Sequence, residues 1–320
     1  MAESRHPKAG VDYPETYQDL LAWFPTNQAC LNYLALLRWP EGFVCPVCKS
    51  TDFWRTADDL WMCQRCARRT SVTAGTIFHR TRTPLSTWFA AMWFLTSQKN
   101  GVSALGLQHV LGFKSYETAW AWMHKLRRAM VRPDRDRLTG VVEVDETFVG
   151  GVSRGKQGAS SDKVPVMVAV EKTGNGRKLR RIRLEVAERP GSLELVDFAE
   201  RTVTPGSTIR TDGAQMLRKL GEKGYTHEYT NGYSAVDKSE VLPGVHLTAS
   251  LLKRWLTGTL QYAVLEHQLP YYLDEFTFRF NRRDSRSRGL LFYRLIQQAA
   301  NTDPHPLHGL LDPDNNPNFS

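Results

Sequence analysis

Hydrophobic and polar positions change their spacing several times along this chain. From Tyr17 to Leu37, the apolar residues Tyr17, Leu20, Leu21, Phe24, Cys30, Leu31, Leu34 and Leu37 recur at roughly helical steps. Pro25 lacks a backbone N–H to continue a helix, so the stretch predicts two short helices. Between about 41 and 80 the helical period disappears, and Phe53-Trp54-Arg55 and Leu60-Trp61-Met62 read as the strands of a hairpin. A helix starts after Pro84, with Trp88, Phe89, Met92, Trp93 and Leu95 on its apolar side. Residues 102–110 read as a second helix, Leu111-Gly112-Phe113 as a turn, and residues 115–130 as a third helix. From Gly140 the period falls to two. Strands are expected at 141–151, 164–171 and 179–187, a helix at 193–203, a short strand at 208–212, a helix at 214–223 and a strand at 226–229. A long helical stretch then begins near His246. The tail is rich in Pro, Asn and Asp and predicts irregular structure, and there is no internal repeat.

These shifts divide the chain into an N-terminal helical segment (1–40), a cysteine-bearing segment (41–80), a three-helix segment (81–135), a large strand-and-helix domain (140–300) and a tail (301–320). The order of three strands, helix, strand, helix, strand, helix in the large domain is that of a ribonuclease-H-like α/β fold with a mixed sheet.

Composition narrows the class. Apolar residues make up 41% of the 320, enough for packed cores and too many for a disordered chain. The formal net charge of +9 favours a polyanionic partner, most simply nucleic acid. Residues 1–12 carry no apolar leader, and the most apolar run, Trp88 to Leu95, is too short for a bilayer, which needs about 20 residues. The expectation is a cytoplasmic protein without a membrane role, whose cysteines serve as metal ligands or free thiols rather than disulfides.

Four of the five cysteines form two knuckles, Cys45-Pro-Val-Cys48 and Cys63-Gln-Arg-Cys66. Each knuckle offers two thiolates from one tight turn, and two such turns close a tetrahedral S4 site suited to Zn2+. With four protein ligands the site has no open position, so its role is structural. Cys30 lacks a knuckle and reads as a buried thiol. The arginines at 65, 68, 69, 80 and 82 lean towards phosphate contact. The helices at 102–110 and 115–130, joined by a glycine-containing turn, match a helix-turn-helix. The second ends in Lys125, Arg127 and Arg128, so these are candidate DNA contacts. A small bundle with a packing role only is the alternative.

Residues 141–151 form an apolar strand carrying carboxylates. Glu143 and Asp145 share one face by the two-residue period, while Val142, Val144 and Glu146 take the other. Asp212 ends the fourth strand. In a ribonuclease-H-like fold Asp145 and Asp212 converge, and two such carboxylates can hold a pair of divalent ions for phosphodiester transfer. Mg2+ suits a site of few carboxylates plus substrate phosphate. Glu143 and Glu146 either support the site or are solvated. Tyr271, Tyr272, Phe276, Phe278 and Phe280 read as core, while Arg279, Arg282, Arg283, Arg286 and Arg288 read as a DNA track. Gly150-Gly151 with the segment 153–162, carrying Arg154 and Lys156, reads as a hairpin loop. It is not a phosphate-binding P-loop, because G-K-[ST] is missing.

At this point the chain resembles insertion-sequence transposases that join an N-terminal zinc ribbon to a DDE domain. The matching residues are the two knuckles, the run from Glu143 through Asp145 to Gly151, Thr211-Asp212-Gly213, Ser250-Leu-Leu-Lys253-Arg254, and the run from Tyr272 to Arg283. The resemblance spans about residues 15–300. It implies cleavage of element ends and strand transfer into target DNA, and it assigns Asp145 and Asp212 to metal binding. The DDE pattern also asks for a third carboxylate seven residues before a basic residue. Counting back from Lys253 lands on His246, which lies 34 residues after Asp212. Three readings stay open: His246 is the third ligand, another acid such as Glu240 swings in, or the site is inactive or His246 structural. A histidine ligand would shift preference towards Mn2+. Lys253 and Arg254 would face substrate phosphates, as would Arg282 and Arg283. Joining two ends implies a homodimer or larger assembly on double-stranded DNA. The rival readings are a catalytically inactive transposase-derived DNA-binding regulator, another ribonuclease-H-like nuclease, and a zinc-ribbon protein-interaction module, the last leaving the C-terminal part unexplained.

Overall fold

The computed structural model describes residues 6–132, 135–150, 163–173, 178–188, 191–212, 215–229, 241–260 and 265–311. Gly151 and the segment 153–162, Gly213, Glu240 and the tail beyond 311 lie outside them. The chain divides into two compact units, one formed by 1–132 with 285–320 and the other by 133–284.

In the first unit α1 (Tyr17–Trp23) starts at a capping box. The Thr16 hydroxyl accepts from the Asp19 N–H at 3.1 Å, and the Asp19 carboxylate accepts from the Thr16 N–H at 2.9 Å. Pro25 ends it, and α2 (Asn27–Arg38) restarts on the Thr26 hydroxyl, which accepts from the Ala29 N–H. Strands β1 (Phe53–Arg55), β2 (Trp61–Cys63) and β3 (Arg69–Thr70) form a small antiparallel sheet in which Trp54 faces Met62. Then come α3 (Leu85–Ser97), α4 (Ala104–Leu111) and α5 (Tyr116–Arg128). Gly112 closes α4 in the left-handed region at φ 67°, where a side chain would be strained. Trp88 of α3 stacks on Trp122 of α5 at 3.5 Å.

The second unit follows in chain order: β4 (Val141–Val149), β5 (Val164–Lys172), β6 (Leu179–Val186), α6 (Ser192–Thr202) and β7 (Thr208–Thr211). Next come a 3-10 turn, Gln215–Arg218, the single turn α7 (Lys219–Glu222), β8 (Thr226–Tyr229), α8 (Pro243–Leu260) and α9 (Leu269–Phe280). The helix expected at 214–223 is thus broken into two short pieces. The five-stranded sheet has the order β6-β5-β4-β7-β8. The first three strands are antiparallel, and β4, β7 and β8 run parallel. Val142, Val144 and Ile209 pack on one face against Leu195, Phe198 and Ala199 of α6. Val166, Val168 and Val170 pack on the other against Val245, Leu252 and Leu256 of α8 and Phe276 of α9. A mixed sheet covered by helices on both faces is the α/β architecture expected from the strand order.

The chain then re-enters the first unit with α10 (Arg288–Ala299) and α11 (Leu307–Leu311). The sequence grouped residues 288–299 with the 140–300 domain, but the fold places them with the N-terminal helices. The reason lies in α3, which is apolar nearly all round and needs partners on several sides. Phe292 of α10 supplies one, with its ring 5.8 Å from those of both Phe89 and Trp93. Gly289 allows the approach, since a Cβ there would run into the Pro14 carbonyl oxygen. Among the described residues no helix is long and apolar enough to cross a membrane.

Candidate active site and metal centre

The two cysteine knuckles are built alike. The N–H of Lys49 donates to the Cys45 carbonyl and that of Ala67 to the Cys63 carbonyl, each at 3.0 Å. Both Lys49 and Ala67 sit at positive φ, 60° and 56°, the strained step that turns the chain back after each second cysteine. The β1–β2–β3 hairpins bring the knuckles together. The Cys45 and Cys66 sulfurs lie 3.6 Å apart and those of Cys48 and Cys63 3.4 Å, with all four within 4.8 Å of one another. Backbone N–H groups aim at the sulfurs. That of Cys48, helped by that of Val47, pulls the Cys45 thiol down to about 6, and that of Cys66 lowers Cys63. Burial and the sulfurs of Cys48, Cys45 and Cys63 push Cys66 the other way, up to about 12. Four sulfurs offered by two tight turns fit a structural zinc ion, whose charge would favour the thiolate at each. Cys30 is buried among helices, and burial pushes its thiol up to about 12, as an inert core cysteine requires.

Of the basic residues expected to meet DNA in this unit, Arg65, Arg68, Arg69, Arg80, Arg82 and Arg128 are exposed. Lys125 is half-buried, and burial lowers its pKa. Arg127 is 2% exposed, so its guanidinium faces the interior rather than a phosphate. Residues 125–128 read as a basic helix end in the sequence, but consecutive helical residues point about 100° apart, and only some of them can face water.

The carboxylates meet in the second unit. β7 pairs parallel with β4 in the register Val141 to Thr208 and Glu143 to Arg210. Continuing that register sets Asp212, just past β7, level with Asp145. Asp145 is half-buried and its carboxyl is pushed up to about 7. Burial contributes most, and the negative charges of Asp212 and Glu146 add to it. The N–H of Glu146, donating to Asp145 Oδ1 at 2.8 Å, works the other way. Glu146 is raised too, by burial first and then by Asp212, with Glu194 of α6 contributing. The fold therefore gathers Asp145, Glu146 and Asp212 into one electronegative corner at the end of the parallel strands. A dication beside Asp145 and Asp212 would offset the burial, and with it the neighbouring negative charge, that hold a proton on Asp145.

His246 lies in the first turn of α8 with an exposed side chain, Lys253 two turns on is half-buried, and Arg254 is exposed. Burial and then the charge of Lys163 lower Lys253. Among the described residues, the four cysteines form the one group of three or more ligand side chains close enough to hold an ion. Asp145 and Asp212 are thus brought together as a pair, and His246 is not closed up with them into a triad.

Glu143 is not solvated, one of the two readings that its strand position left open. It is 2% exposed and pairs with Lys172 Nζ at 2.6 Å, and it accepts the N–H groups of Gly244 at 2.6 Å and Val245 at 3.1 Å. The one sequence signal for this was Lys172, a cation that with Glu171 closes a strand apolar up to Val170. The run from Tyr272 to Arg283 proves to be largely architectural. Tyr271, Tyr272, Phe276, Phe278 and Phe280 are buried, and Glu275 pairs with Arg279 at 2.8 Å. Asn281 takes the backbone N–H and carbonyl of Ile182 on the edge strand β6. Arg283 donates to the carbonyls of Leu179 and Arg180, and Arg282 lies over the Phe278 ring at 4.0 Å.

Residues 137–281 match the ISXO2-like transposase domain, and residues 25–69 match the transposase zinc-ribbon domain, together more than half of the chain. The chain belongs to the ISXO2-like transposase family. Its transposase domain coincides closely with the sheet-bearing unit and encloses Asp145, Asp212 and His246. Its zinc ribbon encloses all four clustered cysteines. A relative is the protein described as an uncharacterized protein in transposable element ISH50 of Halobacterium salinarum. It is 27% identical over 282 residues, covering 80% of this chain and 91% of the relative. This is an insertion-sequence transposase with an N-terminal zinc ribbon.

Proposed function

We propose that this transposase cleaves the ends of its element and joins them to target DNA, with Asp145, Asp212 and His246 holding divalent Mg2+ or Mn2+. One observation carries the reading. The β4–β7 register carried on past Glu143 and Arg210 brings Asp212 to Asp145, and burial, with the charge of Asp212 adding to it, drives Asp145 up to about 7, a pair of carboxylates that a dication would relieve. Bound divalent ions supply activation of the attacking oxygen and stabilisation of the leaving oxygen. Asp145 and Asp212 offer carboxylate oxygens from adjacent strands, and His246 offers an imidazole nitrogen from the first turn of α8. Lys253 and Arg254 on the same helix, with Arg282 after α9, meet substrate phosphates. Arg283 is tied to backbone carbonyls and contributes mainly to holding β6. In the other unit Arg65, Arg68 and Arg69 of the ribbon, with Lys125 and Arg128, take the element end. Arg127, being buried, is left out of this set. Because two ends are joined in one event, the working form is a dimer or larger assembly on DNA.

The test is cleavage and joining of labelled element-end DNA by the wild type and by Asp145→Ala, Asp212→Ala and His246→Ala, each with Mg2+ and with Mn2+. All three variants are expected to bind ends and to lose at least about a hundredfold in rate. Retained activity in His246→Ala alone moves the third ligand elsewhere. A wild type that binds ends tightly and never cuts them supports the inactive-regulator reading instead. The exposed, unclosed position of His246 is the observation that favours that second reading.

A further inference from the structure

Glu143 precedes Asp145 by two residues on the same face of β4, yet it is sealed from solvent. Its carboxylate stands where a helix needs an anion. The first N–H groups of a helix have no partner within it, and a negative charge there is favourable. In α8 two of these donors, Gly244 and Val245, point at Glu143 Oε2 from 101 and 102 residues further along the chain. Lys172 of β5 supplies the counter-charge at Oε1 and is itself buried. Gly244 is what lets the carboxylate in. A Cβ at this position would lie 2.6 Å from Glu143 Oε2 and 3.0 Å from Leu179 Cδ2. The next residue after this clamp is His246.

We infer that Glu143 is a positioning residue for the metal site. By clamping Gly244 and Val245, with Lys172 as its partner, it fixes the first turn of α8 to β4 and so sets where His246 is presented relative to Asp145. The inference rests on the reading of His246 as a metal ligand given above. The geometry makes the clamp local to both ligands. Glu143 and Asp145 are about 6.6 Å apart along a strand rising about 3.3 Å per residue, and His246 adjoins a clamped amide. Ligand side chains bind metal well only when the groups behind them hold their orientation.

Two substitutions break the clamp in different ways. Gly244→Ala keeps every charge and pushes the carboxylate off the helix. Glu143→Gln with Lys172→Met removes both charges and leaves no buried cation unpaired. Mn2+ affinity of the full-length protein without DNA is measured by calorimetry, with the melting temperature as a check on folding. Both variants are expected to weaken Mn2+ binding about 10–100-fold. Neither should weaken it further in a His246→Ala background, because the clamp acts through that side chain. A folded clamp variant with wild-type Mn2+ affinity overturns the inference, as does an undiminished loss in the His246→Ala background. If one variant fails to fold, the other decides. His246→Ala with wild-type Mn2+ affinity, beside weakened Asp145→Ala and Asp212→Ala, overturns the ligand reading itself and the clamp with it. That outcome is read without any clamp variant, so the two failures are told apart.

Discussion

At the scale of single residues, the chemistry turns on how burial and neighbouring charge change groups that look alike in the sequence. Asp145, Glu146 and Glu143 are three acids within four positions, and each meets a different environment. Asp145 keeps its proton to about 7 where an ordinary aspartate releases it near 3.8. The folded protein therefore binds this proton more tightly than the unfolded chain does. Folding is favoured by that difference at low pH, and the advantage is lost as pH rises from about 4 through 7. In the metal-free protein Asp145→Asn should melt higher than wild type at pH 8, with the gap closing towards pH 4. Melting curves across this range in the presence of a chelator check it. A constant gap would mean that Asp145 does not titrate in that window. Added Mn2+ at pH 8 should raise the wild-type melting temperature and leave Asp145→Asn unchanged. The pairing of Asp145 with Asp212 was legible from two strands each bearing an acid. The seclusion of Glu143 was not, because a strand-face carboxylate has the same spacing whether it meets water or a helix end.

At the scale of elements, the long motif from Tyr272 to Arg283 shows how a signature can serve architecture. β6 is the edge of the sheet, and an open edge invites pairing with another chain. Asn281 answers with both halves of its amide, accepting from the Ile182 N–H at 2.7 Å and donating to the Ile182 carbonyl at 3.2 Å. Arg283 covers the carbonyls of Leu179 and Arg180 beside it. Replacing Asn281 with alanine strips both partners from Ile182. The expected cost is about 1–3 kcal/mol, read as a lower urea midpoint, together with a rise in light scattering as the edge becomes available. An unchanged midpoint would mean that water serves Ile182 equally well. Element existence was readable from period alone, and Phe53–Arg55, Leu179–Val186 and Thr226–Tyr229 fall where alternation put them. The affiliation of α10 was not readable, since an amphipathic helix specifies that it needs an apolar partner without specifying which one.

At the scale of the whole molecule, the zinc ribbon and the sheet-bearing transposase domain belong to different compact units, and they should fail separately. The ribbon is a three-stranded sheet of eight paired residues at most, with Phe53 and Trp54 partly exposed, too little apolar burial to stand without its ion. A strong zinc chelator should release one zinc per chain, abolish protection of the β1–β3 amides and reduce end binding at least tenfold. The β4–β5–β6 amides of the other unit should stay protected, as hydrogen exchange read by mass spectrometry would reveal. Loss of protection in both units together would mean that zinc supports the entire fold. The excess of +9 charges adds a general pull on DNA, which falls steeply with salt.

The sequence alone determined the parts that rest on local spacing. These are the two knuckles that hold zinc, the alternation that makes β4 and β5, the acids that end up at 145 and 212, and the family to which such a chain belongs. Local spacing sets which way a side chain points from its own element and which ligands one turn can offer. Tertiary structure decided what each side chain then meets. It buried Arg127, turned Glu143 into the cap of a helix a hundred residues away, set Asn281 on an open strand edge and carried α10 back to the N-terminal helices. Those outcomes depend on long-range register and on competition among several apolar faces, and a one-dimensional pattern contains neither.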